Sequence, residues 1–169
     1  GDAKLVVEQL TAANGGRVSA GAFKDWRSKL SEDHLKRVKA QEIVISNDST
    51  PIHPLRLCKE VRDFVKRDTI MVVDGQDILA FGRQTIPSFV PGYRLNSGTF
   101  GTMGVGLPYA IGAKAACPDK QVVCLHGDGS FGFNAMELDT AARNKLGVIT
   151  VISLNAGWTA VSKREKAGQ

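Results

Sequence analysis

Residues 121–125 (Gln-Val-Val-Cys-Leu) and 148–154 (Val-Ile-Thr-Val-Ile-Ser-Leu) are short apolar, β-branched runs. Runs of this kind are expected of strands buried on both faces of a parallel sheet. Between them Leu138, Ala141, Ala142 and Leu146 recur at helical spacing, and Asn134 with Glu137 three positions later has the form of a capping box. The pattern is strand, helix, strand: a βαβ unit whose two strands run the same way. Val72-Val73-Asp74-Gly75 reads as a further strand end. The fold class is therefore α/β, a parallel sheet flanked by helices.

The first third has a different character. Residues 2–13 fit a short amphipathic helix that Asn14-Gly15-Gly16 ends. From about residue 22 to 41 Lys24, Asp25, Arg27, Lys29, Glu32, Asp33, Lys36, Arg37 and Lys39 mix the two charge signs, as on a solvated helix face. Ser49-Thr50-Pro51 then starts a new helix, with Leu57, Val61, Phe64 and Val65 on one side and Pro51 suited to the first turn. Three parts follow: residues 1–16 as the end of a preceding domain, 17–48 as a linker with a charged helix, and 49–169 as the first part of a ligand-binding domain.

At 169 residues the chain is long enough for one domain with a sizeable core. Its net charge of +5 raises nucleic acid as a partner, but no recognition motif accompanies the charge, and phosphate-bearing small molecules are sufficient anionic partners. No nucleic acid partner is expected. No apolar stretch reaches the roughly 18 residues of a membrane span, and no secretory or transit segment is evident at Gly1; a cytoplasmic, intracellular protein is the expectation. Cys58, Cys117 and Cys124 are far apart, without metal-like spacing, and read as structural thiols. The histidines form no ligand motif. His126, next to Gly127, is placed to contact a phosphate but reads better as a partly buried strand-end residue, since nothing pairs with it.

The candidate chemistry lies at the strand ends. Gly127-Asp128-Gly129-Ser130 leaves one strand and Asn155 follows the next. In a βαβ unit both loops open on one edge of the sheet, where open α/β sheets bind ligands, so Asp128 and Asn155 converge. A hard cation takes oxygen ligands at roughly 2.0–2.1 Å and commonly shares a phosphate with its protein ligands, so this carboxylate and amide oxygen read as a Mg²⁺-diphosphate site. Gly127 and Gly129 let backbone amides approach phosphate oxygens, and Ser130 adds a hydroxyl. The alternative is a surface Gly-Asp-Gly turn with an unrelated Asn. Upstream, residues 97–108 (Ser-Gly-Thr-Phe-Gly-Thr-Met-Gly-Val-Gly-Leu-Pro) crowd glycines around one bulky Met. Glycine is costly in regular structure, so a loop wrapped on a ligand explains the segment better than a simple helix start. Gly104-Val105-Gly106 lacks the third glycine of a dinucleotide fingerprint.

The segment from Gly127 to Gly157 resembles the motif of thiamine-diphosphate enzymes, which opens with Gly-Asp-Gly and closes with paired Asn before a Gly. Leu154 stands where the first Asn of the pair would be. The resemblance implies that Asp128, Asn155 and the carbonyl of Gly157 hold Mg²⁺ on the cofactor's diphosphate. It implies that Met103 wedges the cofactor into its bent form, that the Gly101 carbonyl accepts from the 4′-amino group, and that the Met103 amide donates to a ring nitrogen, with Thr102 beside them. Met103 as a filler of a core gap is the alternative. Gly75, Gln76 and Asp77 would meet the diphosphate from its other side, though a plain turn would also produce that segment.

Gly82-Arg83, Tyr93-Arg94-Leu95 and residues 97–106 look like the 2-hydroxyacyl-CoA lyase and oxalyl-CoA decarboxylase branch, whereas the Gly127 segment is closer to the acetolactate-synthase branch. The activity so implied is a thiamine-diphosphate- and Mg²⁺-dependent carbon–carbon lyase or carboligase, acting on an acyl-CoA or a 2-oxoacid, as a homodimer or homotetramer. No residue of this chain matches the Glu that activates the cofactor in such enzymes. The resemblance therefore implies that the rest of the enzyme, in a longer polypeptide or a second chain, supplies it, and that this chain alone is inactive. A non-catalytic cofactor-binding module is the remaining alternative.

Overall fold

The computed structural model describes residues 1–17, 19 and 21–155. The chain divides into two compact units, the first Gly1–Ile43 and the second opening at Val44. In the first unit α1 (Ala3–Asn14) is capped at its start by Asp2, whose Oδ1 accepts from the Leu5 amide at 3.0 Å, and at its end by Gly15 in the left-handed conformation. None of its residues is buried. The charged helix α2 (Lys24–Ile45) runs about a turn beyond the expected end, and its one buried residue, Ile45, belongs to the second unit.

The second unit is the α/β domain. Its elements are α3 (Pro54–Phe64), β1 (Ile70–Asp74), α4 (Asp77–Thr85), β2 (Arg94–Leu95), a 3₁₀ turn (Gly98–Phe100), α5 (Gly106–Ala116), β3 (Val122–Gly127), α6 (Asp128–Asn134), α7 (Glu137–Arg143) and β4 (Ile149–Ser153). The strands pair in the order β2-β1-β3-β4, all parallel. Successive side chains on a strand point to opposite faces, and that alternation builds two apolar layers. Met71, Val73, Val123 and Leu125 pack with Cys58 and Val61 of α3, Ile78 of α4, and Ile86. Ile70, Val72, Val122 and Cys124 pack with Ala110 of α5. Both faces are covered, which is why these strands read as unbroken apolar runs.

Two local expectations are corrected. The helix expected to begin at Pro51 begins at Pro54, because His53 is extended (φ −70°, ψ 136°) and its Nδ1 accepts from the Leu55 amide at 3.2 Å; the residue before a proline is steered out of the helical region, and proline suits the first turn. The single helix expected between β3 and β4 is two helices. Its supposed cap, Asn134, ends α6, and α7 starts from Met136 with no side-chain cap. The Asn134 amide is engaged elsewhere, as its Nδ2 donates to the Gly104 carbonyl at 2.6 Å.

Candidate cofactor site

The register β1–β3 pairs Asp74 with His126, and β3–β4 pairs Gly127 with Ser153. The three strands therefore end level on one edge, and their following residues, Gly75, Asp128 and Leu154-Asn155, leave from it together. This is the convergence of Asp128 and Asn155 that a βαβ unit requires.

Asp74 organises the edge. It is 3 % exposed, and its Oδ2 accepts from the amides of Gly104 at 2.9 Å and Gly106 at 2.8 Å. A charged acceptor holding two backbone donors is among the stronger hydrogen-bonded arrangements in proteins, and it ties the glycine-rich loop to the end of β1. Ser130 closes the third side: its Oγ lies 3.1 Å from the Asp74 carbonyl and 3.0 Å from the Gly127 carbonyl. Gly75 sits against the same turn, where a Cβ would lie 3.2 Å from the Gly127 amide nitrogen. Asn134 links the turn's helix back to Gly104. All three glycine-containing segments singled out in the sequence thus meet in one hydrogen-bonded cluster.

Gly106 marks the tightest approach. A Cβ there would fall 2.6 Å from both Asp74 Cβ and His126 Cε1, so only glycine lets α5 start over the end of the sheet. His126 fills the space beneath: it is 1 % exposed, stands edge-on to Phe131 with ring centroids 5.6 Å apart, and neither of its ring nitrogens has a hydrogen-bond partner. It is more deeply buried than the partly buried residue expected. Burial pushes its pKa below the ordinary imidazole value, and the nearby Asp74 carboxylate opposes that shift only in part.

Asp128 lines an open cleft of about 440 Å³ with Gly129, Gly132 and Phe133. Its Oδ1 accepts from the Gly129 amide at 2.9 Å, which orients the carboxylate. Asn155 is half-buried just past β4; Gly157 lies outside the described residues. Met103 is half-buried and, among the described residues, belongs to none of the three apolar core clusters. Gly101 and Thr102 are exposed ahead of it, Gln76 is exposed, and Asp77 is half-buried as the first residue of α4. Among the described residues no group of three or more His, Cys, Asp or Glu side chains could hold a metal by itself. A cation here would need oxygen ligands from elsewhere, which the diphosphate of a cofactor supplies.

Two residues with structural roles in the site were given no part in it by the sequence. Asp74 had a usable signal, since an acid ending a strand buried on both faces must find donors. Asn134 had none, because its polarity fitted a helix cap equally well.

A parallel α/β edge with a Gly-Asp-Gly turn, a glycine-rich loop strapped to the neighbouring strand and an open cleft defines a nucleotide- or diphosphate-binding class of domain. Residues 79–169 match the family model described as thiamine pyrophosphate enzyme, C-terminal TPP binding domain, and the chain belongs to that family. It is 36 % identical over 158 residues to a probable acetolactate synthase of Mycobacterium bovis, covering 94 % of this chain and 28 % of that protein. It is 34 % identical over 166 residues to 2-hydroxyacyl-CoA lyase 2 of Bos taurus, covering 98 % of this chain and 26 % of that protein. A 2-hydroxyacyl-CoA lyase 1 of Dictyostelium discoideum is 36 % identical over 138 residues, covering 78 % of this chain and 24 % of that protein. The chain spans about a quarter of the length of these curated relatives. Among the described residues no helix is long and apolar enough to cross a membrane.

Proposed function

We propose that this chain supplies the diphosphate-anchoring side of a thiamine-diphosphate- and Mg²⁺-dependent carbon–carbon lyase, of the kind that cleaves a 2-hydroxyacyl-CoA to an aldehyde and formyl-CoA or runs the reverse joining. The observation that carries the reading is the level ending of β3 and β4, which sends Asp128 and Asn155 from one sheet edge beside an open cleft. In it Asp128, Asn155 and the Gly157 carbonyl are the protein's metal ligands; Gly127, Gly129 and Ser130 receive the diphosphate, with Gly75, Gln76 and Asp77 on its far side. Gly101, Thr102 and Met103 support the rings. The residues present fit that group: the Asp128 carboxylate is oriented and lines open space, and the loop bearing Met103 is fixed to the sheet through Asp74.

Bound there, the cofactor supplies a thiazolium carbon able to stabilise the carbanion left when a carbon–carbon bond beside a carbonyl breaks. The chain's own part is placement. Asp128 balances metal charge, Asp74 holds the loop so that Met103 stays at a fixed height above the sheet, and the buried His126, edge-on to the half-buried Phe131, keeps water from beneath it. The activating Glu comes from the remainder of the enzyme. Residues 1–16 close a preceding domain, 17–48 form the linker, and 49–169 are the first part of the cofactor domain; the assembly is a homodimer or homotetramer.

The 36 % identity to the mycobacterial protein named acetolactate synthase supports a second reading, a 2-oxoacid carboligase. Assaying the full-length polypeptide with a 2-hydroxyacyl-CoA and with pyruvate separates the two. Aldehyde release from the CoA ester supports the first, acetolactate formation supports the second, and turnover of neither leaves a non-catalytic cofactor-binding module.

A further inference from the structure

Phe133 shares the cleft of about 440 Å³ with Asp128, and it is the one bulky apolar group among the described lining residues. It is 56 % exposed. Two contacts fix where its ring begins. A Cβ on Gly104 would fall 2.7 Å from Phe133 Cβ, so this side chain leaves its helix against the residue that follows Met103. The next residue, Asn134, donates to the Gly104 carbonyl at 2.6 Å, and the Gly104 amide is in turn held by Asp74. Phe133 is thereby tied to the loop that carries Met103.

Asp128 and Phe133 stand near the two ends of α6, five residues and thus roughly 7–8 Å apart along its axis. One turn on from Asp128, on the same side of the helix, is Gly132, where a Cβ would meet nothing within 4 Å. Gly132 lines the cleft as Asp128 does, so its missing side chain leaves the space between the carboxylate and the phenyl ring clear. A ligand anchored at Asp128 and reaching the Met103 loop passes that ring.

We infer that Phe133 is a positioning residue whose phenyl face receives the cationic five-membered ring of the cofactor. This rests on the reading of the Asp128 edge as a thiamine-diphosphate site. In that cofactor the thiazolium joins the diphosphate arm to the pyrimidine. With the diphosphate at Asp128 and the pyrimidine at the Met103 loop, the thiazolium occupies the stretch of cleft that Phe133 borders. A permanently positive heteroaromatic ring is attracted to the negative face of a phenyl group, and the attraction grows as water leaves the contact. Phe133 touches neither the metal nor the diphosphate in this arrangement, so its contribution is separable from that of Asp128.

The test is calorimetric titration of the full-length polypeptide with thiamine diphosphate and, separately, with inorganic diphosphate, both with Mg²⁺ in excess. The parent should bind both. Phe133→Ala should weaken thiamine diphosphate at least about fivefold while holding inorganic diphosphate within about twofold of the parent. Phe133→Tyr, which keeps the ring face, should bind both as the parent does. Phe133→Leu, with apolar bulk and no ring face, should fall between Ala and Tyr for the cofactor. Asp128→Ala should weaken both ligands. Equal affinity of the parent and Phe133→Ala for thiamine diphosphate overturns the inference, and so does an equal loss for the two ligands, which would make Phe133 a prop of its helix. Should Phe133→Ala unfold, the Leu and Tyr variants decide: equal cofactor affinity in these two overturns the inference as well. A parent that binds neither ligand refutes the thiamine-diphosphate reading itself, a result distinct from the others.

Discussion

Replacing Asp74 tests whether the glycine-rich loop is held by one carboxylate. Its Oδ2 receives two amides, from Gly104 and Gly106, in a position that is 3 % exposed, and a hydrogen bond to a charged group contributes about 1.5–3 kcal/mol. Asp74→Ala removes both and strands two donors away from water, so a loss of roughly 3–6 kcal/mol is expected, a large part of the ~5–15 kcal/mol that holds a domain together. Asp74→Asn keeps the shape and can turn its oxygen to the same two amides, but hydrogen bonds to that neutral acceptor contribute only about 0.5–1.5 kcal/mol each, so it should fall between the parent and Ala. Urea unfolding followed by circular dichroism gives the order. Amide hydrogen exchange reads the cause directly, because the Gly104 and Gly106 protons should lose protection before the β1–β3 ladder does. An Asp74→Ala protein within about 1 kcal/mol of the parent, with both amides still protected, would refute the reasoning.

Gly106→Ala puts a Cβ at 2.6 Å from atoms of both Asp74 and His126; overpacking of this kind costs about 1–3 kcal/mol or more, and a thermal midpoint unchanged from the parent would contradict the close approach. Ser130→Ala removes the hydroxyl shared between the Asp74 and Gly127 carbonyls and should cost about 1 kcal/mol in urea unfolding, with equal stability as the contrary result. Burial pushes the Cys58 thiol up to about 12 and the Cys124 thiol higher still, whereas Cys117 is half-buried. A raised thiol pKa leaves almost no thiolate at mildly alkaline pH, so an alkylating reagent should label Cys117 in the native protein and reach the other two only on unfolding. Labelling of Cys124 at the rate of Cys117 would count against the packing of β3.

The strands were legible because a sheet buried on both faces leaves uninterrupted apolar runs, as at Val72-Val73 and Val122-Val123. Level strand ends followed from parallel connection alone, which is why Asp128 and Asn155 reach one edge. Helix starts were less legible. Pro51 and Pro54 both offer a first turn, but a helix begun at Pro51 would carry Pro54 where a backbone donor is needed, and the helix starts at Pro54 with His53 as its cap. Asn134 was misassigned as a helix cap, because a side-chain amide serves as well across a loop as at a helix start, and its partner is thirty residues away. Asp74 belongs with it: its pattern announced a buried acid, while its partners were set by how the loop at Gly104 folds back.

The central claim is that Asp128 anchors a metal-bridged diphosphate at this sheet edge. Calorimetric titration of thiamine diphosphate into the protein, with and without Mg²⁺, for the parent and Asp128→Ala, tests it most directly. The account predicts binding that requires Mg²⁺ and weakens well over tenfold in the variant, since a charge-assisted contact of about 1.5–3 kcal/mol already corresponds to that factor or more. Binding of equal strength in both proteins, or binding indifferent to Mg²⁺, would contradict it.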